Sequence, residues 1–198
     1  MKEVQDGINP NIVTISFDEK TGIQALQNIS NDIMPKKVSS KNRRKKTIKR
    51  DPEYKRLGRV NLLAGVNMDT GEVYGQTFDR NRNEEFIKFL TELDKKIDPT
   101  KNIRLIMDNY KTHSSKETLR YLSTLRMGRF ESIFVPKHGS WLNPVEGVFS
   151  KMARGFLRGM RVTSKEELCQ RIAKGISELN MEKKPSNWNK FISQYYNK

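Results

Sequence analysis

The feature that most constrains the fold is a short apolar run at residues 103–107 that ends abruptly in Asp108 and Asn109. Runs of about 4–8 apolar residues bounded by turn-forming residues are typical of a strand buried in the middle of a sheet. In open α/β sheets, ligands bind in the crevice beyond the carboxyl ends of the strands. Asp108 therefore lies where a carboxylate can take part in chemistry, although Asp-Asn is also typical of a simple turn leaving a strand.

Strands are predicted on both sides of this run. Residues 12–17 are rich in β-branched side chains and predict a first strand that ends in a turn at residues 18–22. Residues 23–29 are open to a second, short strand. Asp69-Thr70-Gly71 is a hairpin signal that joins the next two strands, and a last short strand is expected at residues 133–135.

Four helices are predicted from apolar side chains at helical spacing. The first is stopped by Asp98 and the proline after it. Capping boxes with Ser114 and Thr163 as N-caps open the second and the last, and Asn143 followed by Pro144 opens the third. The predicted fold class is therefore α/β, with a mixed sheet of three antiparallel strands followed by alternating helices and strands.

The charge balance points to a polyanion as the partner of the chain. Lys and Arg number 38 against 23 Asp and Glu, which gives a net charge of +15, and nucleic acid is the first candidate. An anionic membrane surface could use the same charge, but no apolar run approaches the roughly 18–20 residues that span a bilayer, and no signal peptide opens the chain. With Cys169 as the single cysteine, an internal disulfide and a cysteine-based zinc site are excluded, and a reducing cytoplasm is expected.

Residues 36–56 form a strongly basic segment, part of a predicted insertion at residues 30–58. Eleven of its 21 positions are Lys or Arg and two are acidic. Blocks of like charge are typical of solvated loops and of arms that bind nucleic acid, and both interpretations are open here. As an arm, the segment would give salt-dependent, sequence-independent affinity for DNA. The expected phosphate contacts are Lys36, Lys37, Lys41, Arg43, Arg44, Lys45, Lys46, Lys49 and Arg50.

Three carboxylates stand out by position. Asp18 ends the first predicted strand, Asp108 ends the fourth, and Glu146 lies in the first turn of the third helix. If the first and fourth strands are neighbours, the two aspartates converge at one edge of the sheet, and the helix could bring Glu146 over the same point. Clustered carboxylates raise one another's pKa, and hard divalent cations relieve that repulsion. Two such ions about 4 Å apart would clamp the attacking and leaving oxygens of a phosphoryl transfer.

Simpler interpretations of these carboxylates stay open. Asp18 could be a turn residue, and Glu146 could be the capping-box partner of Asn143, which needs only local hydrogen bonds.

Three blocks of the sequence resemble the signature motifs of a known family. They are Asp18-Glu19-Lys20-Thr21-Gly22-Ile23-Gln24-Ala25-Leu26, Asp108-Asn109 with His113, and Ser140-Trp141-Leu142-Asn143-Pro144-Val145-Glu146. In this order, and with 37 residues between Asp108 and Glu146, they are similar to the insertion-sequence 630 group of bacterial transposases. That group belongs to the mariner superfamily of DDE/DDD transposases. The resemblance extends from about residue 11 to residue 180.

The resemblance implies a ribonuclease-H-like fold flanked by helices, formed by residues 1–198 as a single catalytic domain. It implies that Asp18, Asp108 and Glu146 are catalytic and bind two Mg²⁺ or Mn²⁺ ions. The implied activity is hydrolytic cleavage at transposon ends, followed by strand transfer of the freed 3′-hydroxyl into target DNA, usually at TA. A bacterial cytoplasmic location, at the nucleoid, is implied as well.

The resemblance also implies partners besides DNA. The basic segment falls where mariner relatives carry a loop that clamps the partner subunit, so we expect a homodimer on DNA. The N-terminal helix-turn-helix region of the family is absent from this sequence, so the chain resembles the catalytic half alone. Two interpretations are open: the second frame of a split gene, with a separate N-terminal half that recognises the element's ends, or a truncated copy. Gly147-Val148 replaces a bulky pair that commonly follows the glutamate, and Phe149 and Met152 can still pack.

His113 and His138 flank the expected site. For His113, a hydrogen-bonding or DNA-contacting role and a capping or packing role are both open.

Two other functions fit the same residues. The chain could be a nuclease of this fold that only hydrolyses DNA, which product analysis would distinguish from a transposase. It could also be a catalytically idle DNA-binding remnant, whose DNA affinity would fall steeply with salt and would not depend on Mg²⁺ or on Asp108.

Overall fold

A computed structural model describes residues 11–29, 53–110, 112–135 and 143–185, which form a mixed sheet with helices on both faces. The strands are β1 (Ile12–Asn28), β2 (Tyr54–Asn67), β3 (Val73–Phe78), β4 (Asn102–Met107) and β5 (Phe130–Phe134). The helices are α1 (Asn83–Lys96), α2 (Lys116–Ser123), α3 (Val145–Met152) and α4 (Lys165–Met181), and a π-helical turn (Ala153–Leu157) follows α3 directly.

The strand order in the sheet is β3-β2-β1-β4-β5. β1, β2 and β3 pair antiparallel, whereas β4 runs parallel to both β1 and β5. The predicted fold class is therefore confirmed, because three antiparallel strands are followed by alternating helices and strands. The first and fourth strands are neighbours, as the predicted convergence of Asp18 and Asp108 requires.

Each face of the sheet carries its own apolar core. Helix α1 packs on one face, with the rings of Phe86 and Phe89 against Ile15 and Phe17 of β1. Helices α3 and α4 pack on the other face against alternate residues of β2. Because both faces are covered, the second half of β2 is buried continuously rather than at every other residue.

The first strand is longer than the sequence predicted. β1 is a single strand of 17 residues, so the predicted turn at residues 18–22 and the separate strand at 23–29 are wrong. The pairing of β1 with β2 shifts register between Lys20 and Ile23, and Gly22 there has a φ of 70°. Its N–H donates to the side chain of Asn61 in β2 (3.0 Å). Turn-forming residues here make a bulge within a strand, which local sequence does not distinguish from a chain reversal.

Three predicted helix caps are displaced. Ser115 rather than Ser114 caps α2, and Ser164 rather than Thr163 caps α4, each through a hydroxyl that accepts a main-chain N–H of the first turn. Two hydroxyl residues stand in a row at both places, so spacing alone could not choose between them. Asn143 does not cap α3, because its amide binds β1 instead.

The third helix does not continue as a regular α-helix beyond Met152, because the π-helical turn follows it. Within that turn, the ring of Phe156 lies directly over Gly175 of α4, where a Cβ atom would come within 2.4 Å of the ring. The widened turn and the glycine together let the two helices approach closely.

Some predicted features lie outside the described residues. They include His138 and the expected phosphate contacts from Lys36 to Arg50. The predicted insertion extended to residue 58, but residues 54–58 belong to β2. Among the described helices, none has the length and apolar character needed to cross a membrane.

Candidate active site

Asp18 and Asp108 lie at the same level on neighbouring strands. Ser16 of β1 pairs with Ile106 of β4 in parallel register, so two residues further along each chain come Asp18 and Asp108. The fourth strand ends at Met107, as predicted, whereas β1 continues past Asp18. Asp18 therefore projects from the middle of a strand, and only Asp108 stands at a strand end.

Asp18 and Glu19 point to opposite faces of the sheet, because successive side chains alternate along a strand. Lys20, on the face of Asp18, has its Nζ 5.7 Å from the ring centre of Phe149 in α3. Phe17, on the face of Glu19, packs on two phenylalanine rings of α1 with ring centres 5.2 and 4.9 Å apart. Asp18 is thus directed towards α3 and Glu19 towards α1.

A buried polar contact ties the start of α3 to β1. The side-chain amide of Asn143 donates to the main-chain oxygen of Phe17 (2.7 Å), and its oxygen accepts from the hydroxyl of Ser16. That hydroxyl in turn accepts the N–H of Val145 (3.0 Å). Since Asn143 is engaged with β1, the capping box that would have explained Glu146 locally does not form. Glu146 instead begins a helix that is anchored beside Asp18.

The electrostatics of Asp18 show that both of the other predicted carboxylates act on it. The pKa of Asp18 is raised to about 6, chiefly by burial, while the N–H of Glu19, which donates to its Oδ1 (2.7 Å), opposes the rise. The negative charges of Glu19, Asp108 and Glu146 make smaller contributions in the same direction as burial. Asp108 and Glu146 are therefore within electrostatic reach of Asp18, with Glu146 the most exposed of the three.

His113 joins Glu19 to Asp108. Its Nε2 is 3.1 Å from Oε1 of Glu19, and its Nδ1 is 2.9 Å from the main-chain oxygen of Asp108 and 3.2 Å from Oδ1. Burial lowers the pKa of His113, but the hydrogen bonds to Glu19 and Asp108 outweigh burial and raise it. The side chain is fully buried, so His113 both forms hydrogen bonds and packs, and its ring is not exposed for direct contact with DNA.

The tightest cluster of metal-ligating groups in the described part of the chain differs from the predicted triad. Ligand-type atoms of Glu19, Asp108 and His113 all lie within 4.8 Å of one another. On the other face of the sheet, Asp18 interacts electrostatically with both Asp108 and Glu146. Asp108 is thus the residue that the two groups share.

Sequence reasoning missed three residues that support this arrangement. It gave no role to Glu19 or Ser16, and it took Asn143 as a helix cap. Two signals were present in the sequence: a polar serine inside an apolar strand, and a second acid next to the first aspartate. Neither could be interpreted without knowing what packs on each face.

Comparison with known proteins gives a family and a close relative in sequence. The DDE superfamily endonuclease family matches residues 26–169, a range that includes Asp108 and Glu146 and begins after Asp18. The insertion element IS630 uncharacterized 39 kDa protein of Shigella sonnei is 27% identical over 111 residues. That match covers 56% of this chain and 32% of the relative, so the chain spans about a third of the relative's length. The resemblance to the insertion-sequence 630 group is confirmed.

The fold is similar to that of Mos1 mariner transposase. The paired end complex of Mos1 with Mn has a TM-score of 0.60 at 17% identity, covering 98% of this chain and 54% of that one. The Mos1 catalytic domain with Raltegravir and Mn has a TM-score of 0.57 at 15% identity, covering 89% and 74%. At these identities the likeness concerns the fold, and it confirms the ribonuclease-H-like architecture predicted from the sequence.

Proposed function

The chain belongs to the DDE superfamily endonuclease family, and on that premise we propose that it is the catalytic domain of a transposase. It would cleave phosphodiesters at transposon ends and join the freed 3′-hydroxyl to target DNA at TA sites. The observation that carries the proposal is the convergence of Asp18, Asp108 and Glu146 from β1, the end of β4 and the start of α3. Their mutual effect on the pKa of Asp18 supports this assignment.

The donor set fits hard divalent cations, which prefer carboxylate oxygens. We assign Asp18, Asp108 and Glu146 as the ligands of two Mg²⁺ or Mn²⁺ ions. The raised pKa of Asp18 supports this, because buried carboxylates that repel one another are stabilised by a bound cation. When bound, such ions would activate the attacking hydroxyl or water and stabilise charge on the phosphate.

The protein's own contribution is rigid placement. Asp18 lies in a strand that pairs on both sides, Asp108 follows the last paired residue of β4, and Glu146 lies in a helix tied to β1 through Asn143. A site built on strands and an anchored helix holds its groups more accurately than one built on loops. Orientation of this kind is a large part of the rate enhancement in phosphoryl transfer.

DNA is the proposed macromolecular partner. The net charge of +15 would draw the chain to phosphates, and we assign the contacts to the basic residues between Lys36 and Arg50. The proposal includes a single domain over residues 1–198, a homodimer on DNA, and a bacterial cytoplasmic location at the nucleoid.

The direct test is end joining in the presence of Mn²⁺. The wild type is incubated with a short duplex that carries a recessed 3′-end and with a supercoiled plasmid, and joined products are separated on a gel. We expect joining by the wild type and none by Asp108→Asn or Glu146→Gln. Asp69→Asn, which changes an exposed carboxylate in the β2–β3 turn, is the matched control and should join normally.

Other outcomes of this test identify the other candidate functions. Nicking without joining would mean that the chain only hydrolyses DNA. DNA binding that is unaffected by Mn²⁺ and by Asp108→Asn, without nicking, would mean a catalytically idle DNA-binding remnant.

A further inference from the structure

His113 is held firmly among aromatic side chains between β1, α1 and the segment that follows β4. Its ring centre is 5.5 Å from that of Phe17, 4.8 Å from that of Phe86 and 5.9 Å from that of Tyr110. A fully buried ring with three aromatic neighbours has little freedom to change rotamer. Whatever His113 binds is therefore held in a defined place.

The atoms that His113 binds belong to a residue just beyond the sheet. The paired residues of β4 end at Met107, so Asp108 lies past the last ladder position. His113 Nδ1 reaches both the main-chain oxygen of Asp108 (2.9 Å) and its Oδ1 (3.2 Å). One ring nitrogen thus supports the backbone and the carboxylate of Asp108 together.

The same contacts argue that the ring is not itself a metal ligand. A carbonyl oxygen can only accept a hydrogen bond, so Nδ1 carries a hydrogen and has no free lone pair. Nε2 faces the carboxylate of Glu19 at 3.1 Å, on the face of the sheet away from Asp18. Ligand-bearing residues are commonly oriented by such neighbours, whose removal weakens metal affinity about 10- to 100-fold.

We propose that His113 is a positioning residue for Asp108 and that Glu19 fixes the His113 ring in turn. This inference rests on the proposed function, in which Asp108 binds a divalent cation. Glu19 and His113 act from the α1 face of the sheet, opposite to the face on which Asp18 and Glu146 meet. Contacts on the α1 face thereby fix Asp108, and its carboxylate is available to a cation on the opposite face.

Two substitutions of His113 separate positioning from simple packing. In His113→Asn the amide nitrogen takes the place of Nδ1 and can still donate to Asp108, whereas in His113→Gln it takes the place of Nε2 and reaches only Glu19. Both lose the ring and its aromatic contacts. We expect His113→Gln to weaken Mn²⁺ binding about tenfold or more in titration calorimetry, and His113→Asn to recover most of that loss. The catalytic rate constant should follow the same order, while DNA affinity stays unchanged.

Glu19 gives a second, independent comparison. Glu19→Gln keeps an oxygen that can accept from Nε2, and Glu19→Leu does not. We expect Glu19→Gln to retain Mn²⁺ affinity within about threefold and Glu19→Leu to lose about tenfold. Equal loss in both would mean that the Glu19 carboxylate binds the ion directly, which overturns its role as the support of His113.

A remote variant controls for loss of stability. Asn180 of α4 exchanges two hydrogen bonds with the backbone of Val73 (2.7 and 2.9 Å), far from the carboxylates. Asn180→Leu should lower the melting temperature without changing Mn²⁺ affinity. The positioning role is overturned if His113→Asn and His113→Gln bind Mn²⁺ like the wild type, or if both lose affinity equally. A wild type that neither binds Mn²⁺ nor nicks DNA overturns the proposed function and, with it, the positioning role.

Discussion

Buried polar groups are paired at one end of the central strands, whereas negatively charged groups lie close together at the other end. At the amino ends of β4 and β5, Arg129 is 4% exposed and fully satisfied. Its guanidinium donates to a carboxylate oxygen of Asp94 (2.6 Å) and to four main-chain oxygens. Those oxygens belong to Asp94, Ile97, Asp98 and Lys101. One cation thus closes the turn that ends α1 and begins β4.

At the carboxyl ends of β1 and β4, negative charges meet instead. Burial raises the pKa of Asp18, and the negative charges of Glu19, Asp108 and Glu146 act in the same direction. His113 forms hydrogen bonds with two members of this group, but it does so on the Glu19 side of the sheet. The side that holds Asp18 and Glu146 keeps its repulsion.

This difference distinguishes the end whose polar groups are paired around Arg129, the structural end, from the end that carries the proposed metal site, the functional end. A polar network whose donors and acceptors are all paired stabilises the fold and leaves nothing for a ligand to bind. A buried carboxylate whose pKa is raised and which has further carboxylates within electrostatic reach, as Asp18 has, gains most from a bound cation. The following variants test that contrast, from the largest expected effect to the smallest.

The largest expected effect is the loss of stability when Arg129 at the structural end is replaced. Arg129→Met removes five hydrogen bonds, among them those to the carboxylate and the main-chain oxygen of Asp94, and we expect the free energy of unfolding to fall by about 3–5 kcal/mol. Urea denaturation measures the loss, and Mn²⁺ affinity of the folded protein should not change. Arg104→Met, which removes the Arg104–Glu131 pair between the same strands (2.8 Å), is the control and should cost about 0–1 kcal/mol. Equal losses in the two variants would contradict the prediction that the hydrogen bonds of Arg129 contribute more to stability than the Arg104–Glu131 pair.

The anchor of α3 should matter more for activity than for stability. Asn143→Leu removes two hydrogen bonds to β1 and should cost about 1–3 kcal/mol of unfolding free energy. Because Glu146 would no longer be held beside Asp18, we expect the cleavage rate to fall about a hundredfold, as a misplacement of 1 Å can produce. Asn180→Leu, with the same number of hydrogen bonds lost, should cleave normally. An activity loss no larger than in that control would contradict the anchoring role.

The functional end should gain stability when its repulsion is removed. The folded pKa of Asp18, about 6, is above its ordinary value of 3.8, so the folded state binds more protons between these values. The contribution of Asp18 to the free energy of unfolding is therefore most favourable below about pH 4 and is lost as the pH rises through 6. Asp18→Asn removes this dependence and should be more stable than the wild type at pH 7 in EDTA, by about 1–3 kcal/mol.

With saturating Mn²⁺, the wild type should instead be more stable than Asp18→Asn. A ligand at 100 times its Kd stabilises the folded state by about 2.7 kcal/mol, and only the wild type should gain this. Urea denaturation at pH 7 with EDTA and then with Mn²⁺ checks both statements. A variant that is less stable than the wild type in EDTA would show that Asp18 is not under electrostatic strain.

The smallest expected effect is that of a substitution in α3, at the residue after Glu146. Gly147 lies in α3, and a Cβ atom there would meet nothing within 4 Å. Gly147→Ala should therefore raise the free energy of unfolding by about 0.5–1 kcal/mol without changing Mn²⁺ affinity. Gly175→Ala provides the contrast, since its Cβ would overlap the ring of Phe156 and should cost about 1–3 kcal/mol. Thermal denaturation of both variants distinguishes open space from close packing.

Much of the architecture could be predicted from local sequence. The strand that ends before Asp108 was predicted from its length and its polar boundary, and α1 from its apolar spacing and the stop at Asp98. These signals are local, because the period of side-chain burial differs between helix and strand. Where local signals were ambiguous the prediction failed, as at Gly22, because a bulge and a turn use the same residues.

The sequence by itself determined most of the elements, their order and the position of three carboxylates in or next to those elements. Only the tertiary structure decided what surrounds those carboxylates. Asn143 binds Ser16 across 127 positions of sequence, and His113 binds Glu19 across 94. Hydrogen bonds over such separations form only after the sheet and its helices have packed, and no periodic pattern in the chain encodes them. Long-range packing therefore decided that Asn143 anchors α3 instead of capping it, and that His113 supports Asp108.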